Sequence, residues 1–255
     1  MNRPERVLVV LPAYNEAANI GRLVERIDQA MSGARLDYRI VAVDDGSTDG
    51  TSDILEHYAG LLPLEVCRHT RNQGLGVTIR DGLLRAAELV RNDEVVVTMD
   101  ADESHAPGLI PRMLQMVREG HDLVIASRYV AGARVCGVPL PRRFLSFAAS
   151  WLFRAIFRIP GVRDYTCGYR VYSSELLKRA VDLYGRDLVQ ETGFQCMVEV
   201  LLKLRRLRPI VGEAPLILRY DMKRSSSKMQ VVKTIRRTIA LSAHSLFPQR
   251  QNPAV

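Results

Sequence analysis

Glu94-Val95-Val96-Val97-Thr98-Met99-Asp100-Ala101-Asp102 is an apolar, β-branched run that ends in two carboxylates one residue apart. Such a run reads as a buried strand, and in an extended chain residues i and i+2 point the same way. Asp100 and Asp102 can therefore converge on one hard divalent cation, and a cation at that place is suited to gripping a diphosphate. A nucleotide-sugar site is one reading of the stretch. The other is an acidic turn, with Asp102 or Ser104 capping a helix that begins near Pro107.

The flanking sequence repeats the pattern. Arg6 to Leu11 is a β-branched run ending in Pro12-Ala13-Tyr14-Asn15-Glu16, followed by a helical pattern to about Met31. Tyr38 to Val43 predicts a second strand, ending in Asp44-Asp45-Gly46-Ser47-Thr48-Asp49-Gly50. Leu64 to Cys67 predicts a third strand, Gln73 to Val90 a helix, Pro107 to Arg118 a helix and Leu123 to Ala126 a fifth strand. Strands alternating with helices predict an α/β fold with a mainly parallel sheet flanked by helices. Ligands in such sheets sit beyond the C-terminal strand ends, where all three polar clusters fall. The first turn holds no glycine, and Gly74-Leu75-Gly76 follows no suitable strand, so a dinucleotide-binding reading is rejected. A P-loop is also missing.

The chain of 255 residues suits one large α/β domain or one domain with an appendage. Cys67, Cys136, Cys167 and Cys196 are scattered, which predicts reduced thiols in a cytosolic setting and no zinc site. The start, Met1-Asn2-Arg3-Pro4, runs straight towards a strand, so no signal peptide is expected. Charge is uneven. Residues 1–120 hold 13 Lys+Arg and 19 Asp+Glu, a net of −6; residues 121–255 hold 23 and 9, a net of +14. An acidic first half followed by a basic second half predicts an anionic partner for the second. Nucleic acid is not that partner, because the basic charge is not interleaved with stacking aromatics or any reader motif.

Residues 139–159 read as one long helix. Arg143, Arg154 and Arg158 form a narrow stripe with Phe147 inside it, and Phe144, Trp151, Leu152, Phe153 and Ile156 fill most of the remaining circumference, as in a helix lying in a bilayer interface. A helix packed on the protein core with solvated arginines fits the same pattern. Ser225-Ser226-Ser227-Lys228 reads as a mobile polar stretch before a basic amphipathic helix, Val231 to Leu246.

Leu11-Pro12-Ala13-Tyr14-Asn15-Glu16, Val43-Asp44-Asp45-Gly46-Ser47-Thr48-Asp49 and Asp100-Ala101-Asp102 together resemble family 2 glycosyltransferases of the GT-A fold. Ser127-Arg128-Tyr129, Arg142 with Ser146, the Asp164 to Arg170 string and Glu191-Thr192-Gly193-Phe194-Gln195 resemble dolichyl-phosphate mannose synthases and related polyprenyl-phosphate sugar synthases. The likeness covers roughly residues 6–230. It implies a GT-A domain over residues 1–224, with a nucleotide-binding half (1–127), an acceptor-binding half (128–224) and a mobile basic segment at 225–255.

The resemblance also implies roles. Pro12, Tyr14, Glu16, Asp44 and Asp45, with Asp100, Ala101 and Asp102, would hold the nucleotide-sugar donor, GDP-mannose or a UDP-hexose. Asp100, Asp102 and the residue at Ser104 would bind Mg²⁺ or Mn²⁺. The synthases usually carry Gln where this chain has Ser104, with water or the adjacent Glu103 to complete the shell. Arg128, Arg142 and Ser146 match positions for the acceptor phosphate of a polyprenyl lipid, and Lys228 would close over the donor phosphates. Asp102 and Arg128 would stabilise the inverting transfer. Asp164 and Glu191 are the candidate bases if the acceptor is instead a hydroxyl of a soluble or glycan substrate, because an alcohol needs a base and a phosphate dianion does not. Access to the lipid implies an enzyme peripheral on the cytoplasmic face of a membrane, alone or with a small membrane partner protein.

Overall fold

A computed structural model describes residues 6–221 of the chain. Strands β1 (Arg6–Ala13) and β2 (Asp37–Asp44) form the centre with β4 (Val95–Thr98), and they are buried on both faces almost without interruption. That is why these runs are continuously apolar rather than alternating. β1 pairs parallel with β2 from Arg6↔Asp37 to Ala13↔Asp44, and with β4 on its other side. β3 (Leu64–Arg68) adds the outer edge beside β2. Helices α1 (Ile20–Gly33), α2 (Thr51–Ala59), α3 (Leu75–Leu89) and α4 (Ile110–Arg118) link these strands. The buried residues of α1 (Ile20, Leu23, Val24, Ile27 and Met31) recur at helical spacing and face the sheet.

The sequence reading placed the strands and most of these helices within a few residues. It gave no helix for α2, and a single turn of 3₁₀ helix at Pro107–Leu109 precedes α4. Beyond residue 128 the structure is richer than one helix. β5 (Leu123–Ser127) is followed by β6 (Arg134–Cys136), α5 (Leu140–Phe157), β7 (Arg170–Ser173), α6 (Ser174–Tyr184), α7 (Cys196–Leu204), β8 (Val211–Pro215) and β9 (Ile217–Arg219). The large sheet has the order β3-β2-β1-β4-β7-β5-β8. β7 is inserted antiparallel to both neighbours, with Val97↔Val171 on one side and Val124↔Val171 on the other. β6 and β9 form a separate parallel pair.

Helix α5 corrects one expectation. Its large apolar residues divide between two faces: Phe153 and Phe157 are buried and pack on Tyr165, whereas Leu140, Phe144, Phe147 and Trp151 are 59–75% exposed. Phe153 therefore belongs to the core, not to an interfacial rim. Among the described residues no helix is long and apolar enough to cross a membrane. The Ser225–Lys228 stretch and the 231–246 helix lie outside the described residues.

The packing of α3 on the sheet depends on Gly82. A Cβ there would stand 2.5 Å from Val10 Cγ1 and 3.3 Å from Val43 Cγ2, on the two central strands. Gly82→Ala should lower stability by about 1–3 kcal/mol through overpacking. A urea unfolding midpoint equal to that of the parent protein would contradict this close approach.

Candidate active site

The turns after β1, β2, β4 and β5 meet at one edge of the sheet around a cavity of about 750 Å³. Pro12, Ala13, Tyr14 and Glu16 from the first turn and Asp45 from the second line one end. The two turns are stitched together. Asn15 N–H donates to Ser47 Oγ, Thr48 N–H to Asn15 Oδ1 and Glu16 N–H to Thr51 Oγ1, all at 2.8–2.9 Å. Asn15 sits at φ 49°, which lets the chain reverse here.

The adjacent carboxylates Asp44 and Asp45 do different things. Asp44 is fully buried beneath the turn, accepting from Ser47 N–H and from the Ser52 hydroxyl, and it does not line the cavity. Asp45 lines it and pins the next loop, accepting Gln73 N–H at 2.8 Å and Gly74 N–H at 2.9 Å. That loop carries Asn72 and Leu75 to the wall. The Gly74-Leu75-Gly76 string has its purpose here: Gly76 N–H donates to Thr192 O at 3.0 Å, and a Cβ on Gly76 would collide with Glu191 O.

Asp100, Ala101, Asp102 and Ser104 line the cavity beyond β4. Ser104 donates its hydroxyl to Asp102 Oδ1 at 2.6 Å and its backbone N–H to the same oxygen at 3.1 Å, so it braces that carboxylate. Glu103 turns the opposite way. It adopts φ 61°, is 1% exposed, and carries Oε1 to Arg22 and Arg26 of α1 at 3.4 and 3.5 Å. It anchors the turn and does not complete a cation shell. Asp100 is accommodated by Gly168, where a Cβ would stand 3.0 Å from Asp100 Oδ1. Two carboxylates on one wall, with room for substrate oxygens, fit a hard cation of the Mg²⁺ or Mn²⁺ type, which takes its remaining ligands from water and phosphate.

Arg128, at the end of β5, lines the other part of the cavity. It makes a forked pair with Asp164: Nε to Oδ2 and Nη2 to Oδ1, both at 2.7 Å, with Nη2 also 2.7 Å from Thr166 Oγ1. Asp164 is wholly buried and also accepts from the backbone N–H of Arg128, Thr166 and Cys167. Burial pushes its carboxyl up, but the Arg128 charge and these hydrogen bonds outweigh burial and hold it below the usual carboxylate range. A carboxylate so engaged is not placed to take a proton from a substrate. Glu191 stands outside the cavity wall, its Oε2 accepting from Gln195 at 2.5 Å.

Ser146 lines the cavity, and its carbonyl accepts the Tyr129 hydroxyl at 3.0 Å. Arg142 falls within α5, but its side chain, like all of Lys228, lies outside the described residues. Arg143, one of the three arginines of the stripe read from sequence, is exposed and also reaches the cavity wall. The remaining lining there is apolar: Val135, Val138, Leu140, Phe144 and Phe147, with Leu216 and Leu218 from the β8–β9 segment. The passage of the chain from β8 in the large sheet to β9 beside β6 had no signal in the sequence beyond the short run Leu216-Ile217-Leu218, so this roof was missed.

The family model described as Glycosyl transferase family 2 matches residues 8–182. A dolichol-phosphate mannosyltransferase of Pyrococcus furiosus is 34% identical over 199 residues, covering 78% of this chain and 53% of that protein. This chain thus spans about half the length of that relative. An undecaprenyl-phosphate mannosyltransferase of Micrococcus luteus is 35% identical over 212 residues, covering 83% of this chain and 82% of that protein. A polyprenol monophosphomannose synthase of Mycolicibacterium smegmatis is 38% identical over 185 residues, covering 72% and 67%. In fold, glucosyl-3-phosphoglycerate synthase from Mycobacterium tuberculosis, solved with Mn²⁺, UDP and phosphoglyceric acid, superposes with a TM-score of 0.68 at 22% identity, covering 96% of this chain and 80% of that one.

Replacing Asp164 by Asn leaves the half-buried Arg128, 15% exposed at the cavity wall, without its counter-charge and should cost about 2–4 kcal/mol at pH 7, somewhat less than for a fully buried pair. Because the folded pKa is depressed, the stabilisation is complete above the unfolded value near 3.8 and is lost as pH falls through the lower folded value. The gap between Asp164→Asn and the parent in urea midpoints should therefore shrink below about pH 4. A gap that widens in acid would contradict the pairing.

Proposed function

We propose, from the premise that the chain belongs to glycosyl transferase family 2, that it transfers mannose from GDP-mannose to the phosphate of a polyprenyl lipid at a membrane surface. It is an enzyme, a glycosyltransferase of the GT-A fold. The observation that carries the choice of acceptor is the state of Asp164. A hydroxyl acceptor needs a general base within hydrogen-bond reach. Of the two carboxylates suited to that task, Asp164 is locked to Arg128 and Glu191 stands off the cavity wall. A phosphate acceptor, with its second pKa near 6, arrives as a ready nucleophile.

In this reading Pro12, Tyr14, Glu16 and Asp45 receive the nucleoside, and the donor diphosphate lies towards Asp100 and Asp102. A divalent cation held there would neutralise charge that develops on the departing diphosphate. Arg128, held rigid by Asp164 and Thr166, offers its guanidinium edge to the acceptor phosphate, and Arg143 and Ser146 flank it. An acceptor oxygen attacks the anomeric carbon as the bond from that carbon to the diphosphate oxygen breaks, with inversion. The apolar walls along α5 and the β8–β9 segment suit the first isoprene units.

Incubation with labelled GDP-mannose or UDP-glucose, against a short polyprenyl phosphate or the corresponding polyprenol, tests the reading directly. The expected result is mannosyl transfer to the phosphate only, abolished by EDTA, with Asp102→Ala slower by at least about 100-fold. Transfer to the polyprenol or to another hydroxyl, with no transfer to the phosphate, would refute it.

The membrane part rests on Leu140, Phe144, Phe147 and Trp151, exposed on one face of α5 beside the cavity mouth. The excess of basic residues after position 120 suits an anionic surface. Trp151 emission should shift blue on anionic vesicles. Phe144→Ser combined with Trp151→Ser should slow transfer to a long-chain acceptor more than to a short analogue. Equal slowing on both would count against a lipid-facing role, and a small membrane partner protein would then be the route to the lipid.

A further inference from the structure

His105 closes the Asp100–Asp102 turn. The residue is only 3% exposed, yet it lines the cavity. Nδ1 accepts the backbone N–H of Asp100 at 3.2 Å, which places the proton of the neutral imidazole on Nε2. Nε2 in turn stands 3.8 Å from Asp100 Oδ2. Tyr169 fixes the ring plane from behind, stacking at 5.1 Å between centroids with 26° between planes. Tyr169 is itself fully buried, and its hydroxyl donates to Ala106 O at 3.0 Å. On the other flank, Gly168 leaves room for Asp100 Oδ1, since a Cβ there would stand 3.0 Å away. The Asp100 carboxylate is thus bracketed, by glycine backbone at one oxygen and by an imidazole N–H at the other.

We infer that His105 is a positioning residue for Asp100, tying its amide and its carboxylate to one immobile ring so that a divalent cation meets the carboxylate in a single orientation. The inference rests on the reading of Asp100 and Asp102 as the cation-binding pair. A direct ligand role for His105 fits worse. Nδ1 is already engaged and Nε2 carries the proton, whereas a metal ligand needs a bare nitrogen. A base acting on the acceptor fits worse too, because the protonated edge is turned to Asp100. A plain core histidine would have no reason to present that edge to a carboxylate 44% exposed at the cavity wall. At 3.8 Å the pair stands just outside hydrogen-bond reach, and in this proposal the contact closes when the cation binds; groups that orient a ligand in this way commonly contribute about 10–100-fold to metal affinity.

The experiment measures Mn²⁺ binding by electron paramagnetic resonance titration of the full chain, with saturating GDP in one arm and UDP in the other. His105→Asn keeps an oxygen where Nδ1 accepts the Asp100 amide but removes the donor at Nε2. His105→Gln carries an amide donor out towards the Nε2 position. His105→Asn should weaken Mn²⁺ by about 10-fold or more with an unchanged melting temperature, and His105→Gln should recover part of that loss. In an Asp100→Asn background the His105→Asn change should have no further effect, since its target is gone. Parent-like Mn²⁺ affinity in His105→Asn, or full additivity with Asp100→Asn, would overturn the inference while leaving the cation site standing. Failure of the parent chain to bind Mn²⁺ in either arm would overturn the cation reading and this inference with it.

Discussion

The direction of β7 governs the site. In a wholly parallel sheet the residues entering a strand lie at the edge opposite the ligand. β7 runs against β4 and β5, so the segment that precedes it arrives at the same edge as their C-terminal ends. Asp164 can therefore reach Arg128, and Gly168 can sit against Asp100. The entering segment is fastened at several points. Thr98 Oγ1 donates to Gly168 O at 2.7 Å, and Ala126 N–H donates to Tyr169 O at 2.9 Å. Arg170, fully buried, spends its guanidinium on the carbonyls of Tyr165, Cys167 and Met197. No carboxylate is among those partners, so its charge is spread over three peptide dipoles.

That fastening bears on how the cavity handles charge. Arg128 is compensated by Asp164 before any ligand arrives, which limits its value as bulk positive potential and raises its value as a fixed donor array. A guanidinium held on two edges loses little freedom when an anion binds its remaining edge. Glu213 supports the arrangement from below, accepting Arg163 N–H at 2.6 Å and Asp164 N–H at 2.7 Å. Burial pushes the Glu213 carboxyl up despite those bonds. The carboxylate wall at Asp100 and Asp102 is built differently, on a short turn braced by Ser104, His105 and the Glu103 anchor to α1.

The first half of the chain was legible because its signals are local. Apolar runs ending in polar turns gave β1, β2 and β4 and the edge where ligands gather. What local pattern does not contain is facing. Asp44 and Asp45 are neighbours in one motif, yet successive side chains of an extended chain point apart, and only packing decides which one meets Ser52 and which one the cavity. Glu103 and Ser104 part for a different reason: Glu103 sits at φ 61° in the bend after β4, and no local pattern announces that reversal. On α5 the pattern left Trp151 and Phe153 equivalent until the Tyr165 side of the helix was known. β7 escaped altogether: Arg170-Val171-Tyr172-Ser173 is four residues long, and nothing in it encodes a reversed direction.

The same insertion sets a spacing that suits the proposed inverting transfer. Both β4 and β5 pair with β7, so the turns bearing Asp102 and Arg128 are separated by two strand spacings, about 10 Å. In the proposed reaction, a leaving diphosphate and an incoming phosphate must stand on opposite faces of one anomeric carbon. Two anionic groups facing each other across a sugar ring need roughly that interval. If the two turns sat on adjacent strands, about 5 Å apart, the phosphates would be driven together with no room for the sugar between them. The reversed strand thus does two things at once: it delivers the partner that fixes Arg128 and it holds the arginine one strand further from the carboxylates.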